Sequence, residues 1–339
     1  MTGKYFLFFC CLLSLNVFSQ TIKGVIYDEQ KQPVPGAELY LDGTSLWTVS
    51  NDNGQFELNA EQKINTKLVV NYLGYTSQII INPFEQDFIT IHLVPKETKL
   101  KEVTIKSKEV FKRDEKFQVF CEQFLGTTDA GKSCKILNKE DLDFFYNTKS
   151  NRLIVSSEVP IRILNQALGY EIEFSLKKFY INFRYKSIKS QDVIAWMIMG
   201  TTAYKDLTTP DKSYTAARKK SYSGSQMQFY RKLIHHKLGT NNFKLLKNGR
   251  LCNPDDYFTI ADNNGYYDVS LKNSTSKAAE PFKQSFTLEY QGKTSEITFN
   301  TPAFTIDNLG NNSAFGEINF TGEISKNRAG DLLPLDYRE

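Results

Sequence analysis

Histidine, tryptophan and cysteine are all scarce in this chain of 339 residues, with three, two and five copies. The shortage of histidine excludes the most chemistry. A zinc peptidase holds its metal with two histidines and a glutamate, one pair set as His-x-x-Glu. Here the histidines are His92, His235 and His236, and three residues beyond them stand Pro95, Leu238 and Gly239. Two adjacent histidines on a helix do not share a face as an i,i+4 pair does. His235 and His236 therefore read as one half-buried and one solvated residue, and zinc peptidase chemistry is excluded. The same shortage leaves a serine hydrolase few candidate bases, and Ser223-Gly-Ser225 does not fit Gly-x-Ser-x-Gly. No catalytic, metal or cofactor-binding residue is assigned.

Cysteine is too sparse for a disulfide framework. Cys10 and Cys11 lie near the N-terminus; Cys121, Cys134 and Cys252 remain, with no Cys-x-x-Cys spacing. Three thiols cannot all pair internally. One bridge, Cys121–Cys134, closes the shorter loop in an oxidising compartment; the alternative is three buried residues acting as small apolar side chains. Long hydrophobic runs are missing as well. The sustained one, Tyr5 to Leu15, is apolar apart from Ser14 and too short to span a membrane. With Lys4 before it and Asn16 to Gln20 after it, this run predicts a signal peptide over residues 1–20. Cys10 and Cys11 raise a lipoprotein signal instead, but Phe9 is bulky and a cut there leaves much of the apolar run behind. The expected location is the periplasm, the outer-membrane surface or outside the cell, soluble or peripherally attached. Charge of one sign is not in excess either: 42 Lys and Arg against 38 Asp and Glu give +4, which does not point to nucleic acid.

Aromatic residues, in contrast, make up 13% of the chain, with 25 Phe and 18 Tyr, types that suit a pleated, half-buried surface. Ala37–Leu41, Phe56–Ala60 and Ile89–Leu93 alternate in polarity, the last placing His92 outward. Leu68-Val-Val70 and Ile79-Ile-Ile81 read as buried strands. Turn signals separate them at Gln32-Pro-Val-Pro-Gly36, Asp42-Gly43, Asn51-Asp-Asn-Gly54 and Leu73-Gly74. Several short strands at this spacing predict a small antiparallel sandwich over residues 21–95.

Gly24-Val-Ile-Tyr-Asp28, Pro33-Val-Pro-Gly-Ala37, Leu41-Asp-Gly-Thr44 and Thr48 through Phe56 resemble the carboxypeptidase-regulatory-like domain. The resemblance implies a seven-stranded, transthyretin-like (prealbumin-like) β-sandwich without catalytic residues. It also implies an exported protein, since the domain stands at the N-terminus of TonB-dependent outer-membrane receptors and other exported proteins of Gram-negative bacteria. In those receptors a segment similar to Glu102-Val-Thr-Ile105 leads into a plug and barrel; here too few residues remain for that barrel. Residues 96–116, dominated by Lys, Glu, Arg and Asp, read as a charged linker.

Residues 117–339 read as a strand-rich α+β domain, so the chain as a whole is expected to be mainly β. A helix is expected at Phe117–Leu125 and a clearer one at Ser225–Leu238, capped by Ser223 or Ser225 and stopped at Gly239. Strands are expected at Leu153–Ser157, Tyr170–Phe174, Phe179–Tyr185, Tyr266–Leu271, Ser285–Tyr290, Glu296–Phe299 and Glu317–Thr321, with Trp196-Met-Ile-Met199 a buried strand. Ile163–Tyr170 and Asp331–Tyr337 resemble the region that follows this sandwich in a group of bacterial exported proteins, which adds no chemistry. Gly126-Thr-Thr-Asp-Ala-Gly-Lys-Ser133 satisfies Gly-x4-Gly-Lys-Ser, but that pattern cradles phosphate only between a strand and a helix. It reads as a Gly/Thr/Asp turn. The pairs Asp141/Asp143 and Asp255/Asp256 read as loop and cap residues, and Arg218-Lys-Lys220, Tyr222 and Arg231 as a solvated face.

The expected function is therefore that of a non-enzymatic envelope or surface accessory that binds an envelope protein or a glycan, with neither cofactor nor nucleic acid. Two alternatives stand beside it: a hydrolase on peptide or glycan with its site in residues 117–339, and an accessory of a TonB-dependent uptake system.

Overall fold

The computed structural model describes residues 20–96, 109–239, 243–272, 281–314 and 316–339. The chain is mainly β and begins with the sandwich. Its strands are β1 (Gln20–Tyr27), β2 (Glu38–Leu41), β3 (Trp47–Val49), β4 (Gln55–Ala60), β5 (Leu68–Asn71), β6 (Tyr75–Thr76), β7 (Gln78–Ile80), β8 (Ile89–His92) and β9 (Val94–Pro95). A three-stranded sheet, β4-β1-β8, faces a four-stranded sheet, β3-β2-β5-β7, so seven strands form the two layers; β6 and β9 pair separately. β4 shows the alternation that builds such a layer: Phe56, Leu58 and Ala60 are buried and the residues between them exposed. Ile22, Ile26, Leu39, Leu41, Val70 and Ile91 complete the core.

Two sandwich readings need correcting. The sheets are not wholly antiparallel, because β1 runs parallel to β8 from Gly24↔Ile89 to Tyr27↔His92. Gly24 permits that pairing: a Cβ there would lie 2.1 Å from the Ile89 carbonyl oxygen and 2.6 Å from the Phe56 ring. The run Ile79-Ile-Ile81 is not buried either. Among the described residues β7 is an edge strand paired with β5 alone, and Ile79 and Ile81 are exposed.

A six-stranded sheet follows, built from β10 (Cys134–Ile136), β11 (Leu142–Asn147), β12 (Arg152–Ser157), β13 (Ile161–Asn165), β14 (Tyr170–Phe183) and β15 (Val193–Asp206). β14 and β15 form a long hairpin. On the other side of β14, β13 pairs with its first half and β12 with its second. A bulge between Leu176 and Lys178 shifts the alternation, so Tyr170, Ile172 and Phe174 before it and Phe179, Ile181 and Phe183 after it are all buried. The sequence reading split this one strand in two. Helix α1 (Arg113–Phe124) covers the buried face: Phe124 meets Phe174 edge-on at 5.1 Å and Phe120 meets Phe179 at 4.9 Å. The helix starts inside the expected linker, where Lys116 is buried and ion-paired with Glu109 at 3.3 Å. The rest of that segment, residues 97–108 with Val103-Thr-Ile105, lies outside the described residues, as does the expected signal sequence before Gln20.

Helices α2 (Asp129–Lys132), α3 (Thr215–Tyr222) and α4 (Gln226–Ile234) are joined by the last strands: β16 (Lys244–Lys247), β17 (Arg250–Leu251), β18 (Phe258–Asn263), β19 (Tyr266–Leu271), β20 (Gln284–Tyr290), β21 (Lys293–Phe299), β22 (Ala303–Asp307) and β23 (Ile318–Gly322). A five-stranded sheet, β17-β16-β20-β21-β23, and a three-stranded one, β18-β19-β22, share a core of Phe258, Phe286, Phe299 and Phe304. The α4 face of Phe229, Tyr230, Leu233 and Ile234 joins that core. Ser225 caps α4 through the Gln228 amide, and the helix ends at Ile234, with His236 at φ 53° turning the chain before Gly239 is reached.

The C-terminal segment ties these parts together. Leu333 enters the core under the six-stranded sheet, and Leu335 packs against the sandwich core. The Leu335 amide donates to the Gly43 carbonyl at 2.7 Å, and Asp336 accepts from the Ser45 amide at 2.8 Å. Asp307 accepts from the Asn65 amide at 2.8 Å, and Leu309 enters the sandwich core. At a third point Asp42 accepts from the Thr202 amide at 2.8 Å, and Thr44 pairs with Ala203 of β15.

Candidate functional site

Two clefts lie where these parts meet. The first, about 690 Å³, runs between the sandwich and the six-stranded sheet. β2 contributes Glu38, the end of β5 and the residue after it contribute Asn71 and Tyr72, β6 contributes Tyr75, and β14 contributes Glu173. Alternation places Glu173 on the face of β14 opposite Phe174, so it points towards the sandwich and not towards α1. Burial, with Glu38 and Glu171 nearby, holds the Glu173 carboxyl above the usual carboxylate range. The Asn71 Oδ1 is buried and has no hydrogen-bond partner among the described residues. Lys96 and Glu158 form an ion pair of 2.9 Å on the cleft wall. A pair of acids, a free amide oxygen and two tyrosine rings are groups that hold hydroxyl- or amine-rich ligands.

The second cleft, about 640 Å³, lies between α2 and α3 on one side and the β20–β21 hairpin on the other. Its lysines are matched by acids: Lys220 pairs with Asp129 at 3.0 Å, and Lys293 and Lys326 both pair with Glu323. Ser223 shares a 2.7 Å hydrogen bond with the Tyr290 hydroxyl. Burial raises the Asp331 carboxyl, which accepts from Thr128 Oγ1 at 2.5 Å. Neither histidine nor cysteine lines this wall, so the serines there have no imidazole base.

The phosphate-loop pattern lies at the edge of the second cleft, with several of its backbone and hydroxyl groups already engaged. The Gly131 amide donates to Thr128 Oγ1 at 3.0 Å, the Lys132 amide to the Thr128 carbonyl at 2.9 Å, and Ser133 Oγ to the Ala130 carbonyl at 2.7 Å. Helix α1 precedes the loop and strand β10 follows it, the reverse of the order a phosphate cradle needs. The histidines are not brought together into a site. His92 stacks on Tyr27 in the sandwich, His235 lies edge-on to Tyr267, and His236 Nδ1 lies 2.7 Å from Asp255. Among the described residues no three His, Cys, Asp or Glu side chains are grouped to hold a metal ion. Cys121, Cys134 and Cys252 are free thiols, and burial pushes Cys121 and Cys134 up to about 12. Asp141 lies in a helical turn before β11, where it accepts from Asn138 Nδ2, and Asp143 is on β11 itself.

The basic cluster is not a uniformly solvated face. Arg218 is buried; it holds Asp206 through two 2.8 Å contacts, donates to the Leu168 and Gly169 carbonyls and lies 3.9 Å over Tyr170. Arg231 donates to the carbonyls of Leu309, Leu335 and Tyr337. Glu38, Asn71 and Glu173 were missed by sequence reasoning, because nothing local marks residues so far apart in the chain as neighbours. The Leu73-Gly74 turn signal lay beside them but read only as a turn.

The sandwich geometry agrees with a comparison of sequences. Residues 22–105 match the model of the CarboxypepD_reg-like domain. The matched region runs past Pro95 into the segment that holds Val103-Thr-Ile105. Over 68 residues, 20% of this chain, the sequence is 37% identical to the TonB-dependent receptor SusC of Bacteroides thetaiotaomicron. That stretch is 7% of the receptor, so the chain matches a small part of its length. Among the described residues no helix is long and apolar enough to cross a membrane.

Proposed function

We propose that this chain is a non-enzymatic accessory of the cell envelope that binds an envelope protein or a glycan. The observation that carries this reading is the CarboxypepD_reg-like domain and its likeness to part of a TonB-dependent receptor. The cleft beneath that domain supports it, since Glu38, Asn71, Tyr72 and Glu173 offer hydrogen-bonding and stacking groups without an assembled nucleophile and base. Cross-linking in intact cells followed by affinity capture tests it. A specific envelope protein or glycan is expected, and its capture falls in Glu38→Gln/Glu173→Gln. Capture of nothing above background from envelopes overturns the reading.

A narrower form is an accessory of a TonB-dependent uptake system, with Glu102-Val-Thr-Ile105 as a docking strand; that segment lies inside the matched region. Deleting it is expected to abolish co-capture of the receptor while leaving the fold intact. A second reading, hydrolysis of a glycan, is favoured by Glu173, a carboxyl raised by burial beside another acid, as general acids are. Release of reducing ends by the wild type and not by Glu173→Gln would establish it.

A further inference from the structure

The face of the six-stranded sheet turned away from α1 divides into two unlike halves. Over β13 and the start of β14 it carries Glu171 and Glu173, beside the sandwich cleft. Beyond the bulge nothing among the described residues covers it. There one cross-strand row reads Phe145, Ile154, Tyr180 and Met197, set by the pairs Phe145↔Ile154, Ile154↔Tyr180 and Tyr180↔Met197. Phe145 is 54% exposed, Ile154 37% and Met197 36%; Met199 on the same face and Ile194 at the second bulge are 44% and 59% exposed. The expectation of a buried Trp196–Met199 strand fails here. Among the described residues β15 is an edge strand, closed by Thr44 near Ala203 and paired with β14 alone from Val193 to Gly200.

The charge around this apolar row is mostly positive, with Asp143 the acid beside Phe145 on the same face of β11. Arg152 lies 4.3 Å over the Tyr180 ring and Lys178 lies 5.7 Å from it. The turns at the Asn147 and Phe183 end of the sheet add exposed Lys149, Arg184, Lys186 and Lys189. Apolar side chains standing proud of a surface and flanked by an excess of cations match the boundary of an anionic bilayer: the cations meet phosphates while the apolar tips enter the acyl edge.

We propose that this half-sheet is a docking surface for an anionic lipid bilayer, with Ile194, Met197, Met199, Phe145 and Ile154 as the inserting residues and Arg152 and Lys178 as phosphate contacts. The proposal stands on the sheet face and does not need the accessory reading; loss of a captured partner and loss of lipid binding are separate measurements. The test is co-sedimentation of the full chain with vesicles of phosphatidylcholine alone and of equal parts phosphatidylcholine and phosphatidylglycerol. Because the N-terminal apolar run can itself bind lipid, wild type is compared with Arg152→Gln/Lys178→Gln and with Ile194→Ser/Met197→Ser/Met199→Ser, all of which retain it.

The expected result is preferential, salt-sensitive binding to the anionic vesicles. It weakens on the order of 25-fold in the double variant, since each cation near an anionic surface contributes about fivefold. The triple variant loses the vesicle-dependent protection of residues 193–200 from hydrogen exchange. Unchanged far-ultraviolet circular dichroism shows that both variants fold. Equal binding by wild type and both variants overturns the proposal, as does equal binding to neutral and anionic vesicles. A lipid-free dimer that dissociates in the triple variant also overturns it, in favour of a second copy.

Discussion

The buried cation Arg218 makes the sharpest claim on stability. Its residue is 9% exposed, and its guanidinium is shared among Asp206, two main-chain carbonyls and the Tyr170 ring. In Arg218→Met the alkyl volume stays but the Leu168 carbonyl loses its donor, while the Gly169 carbonyl still accepts from the Leu207 amide at 3.0 Å. An orphaned buried carbonyl costs about 1–3 kcal/mol, and the cation over Tyr170 adds roughly 1. The expected loss, with the ion pair included, is about 3–4 kcal/mol at pH 7. Asp206→Asn probes the same contact from the other side. The Arg218 guanidinium is the largest cause that holds the Asp206 carboxyl down, at about 2 against an ordinary 3.8. A carboxyl lowered in the folded state contributes stability that is present above pH 4 and is lost as pH falls towards 2. Taken at face value the shift is worth about 2.4 kcal/mol; the Asp206 side chain is 44% exposed, so solvent screening reduces this to roughly 1–1.5 kcal/mol. Urea unfolding followed by circular dichroism at pH 7 and pH 3 is the assay. Wild type should lose more stability than Asp206→Asn between the two, and the curves should converge at the acid end. An Asp206→Asn profile parallel to wild type refutes the ion-pair argument.

Other perturbations follow from the same contacts. Gly24→Ala drives a methyl into the Ile89 carbonyl and the Phe56 ring, so the β1–β8 pairing should weaken by about 3 kcal/mol or more, read as a lower unfolding midpoint. Glu173→Gln removes a carboxyl that burial raises. A raised acid contributes stability only below its unfolded value near pH 4.5 and loses it as pH rises through the folded value, so the variant should be more stable than wild type at pH 7 and equal to it at pH 3 in thermal melts. Cys121 and Cys134, held near 12 by burial, should resist alkylation at pH 8 in the native protein and react fully in urea, as mass spectrometry would show. Removal of residues 332–339 takes Leu333 and Leu335 out of two cores. Hydrogen exchange should then quicken in β2 and α1 before it does in β20 and β21.

The parts of the fold that could be read from sequence were those set by local period. β4 keeps strict alternation, and β19 falls on the expected Tyr266–Leu271. The Ser225 cap was legible because a cap needs only its own hydroxyl and an amide three residues on. The long strand β14 was not, because its bulge shifts the phase of the alternation and makes one strand look like two. β15 misled for another reason: Met197 and Met199 carry the hydrophobicity of a core strand, and they are surface because nothing among the described residues covers that face of the sheet. The candidate cleft was the least legible. Glu38 and Glu173 are ordinary alternating residues on strands from different parts of the chain, and they become a pair only when the sandwich is seated.

That seating changes the meaning of the CarboxypepD_reg-like domain in this chain. A tethered module would keep its own core and meet the rest through a linker. Here Leu309 and Leu335, from far along the chain, complete the sandwich's packing, and Asp307 and Asp42 spend buried carboxylates on hydrogen bonds across the boundary. Burial raises both carboxyls, a cost the boundary sustains only because main-chain amides aim at them. With three such tie points the sandwich holds a fixed position relative to β14 and β15. A fixed position keeps Glu38 facing Glu173, and it closes one end of the β15 edge while leaving the other end and its apolar row open. The domain thus shapes both candidate surfaces: it lines the cleft with Glu38, Asn71 and Tyr72, and it bounds the apolar row, whose side chains come from residues that follow it.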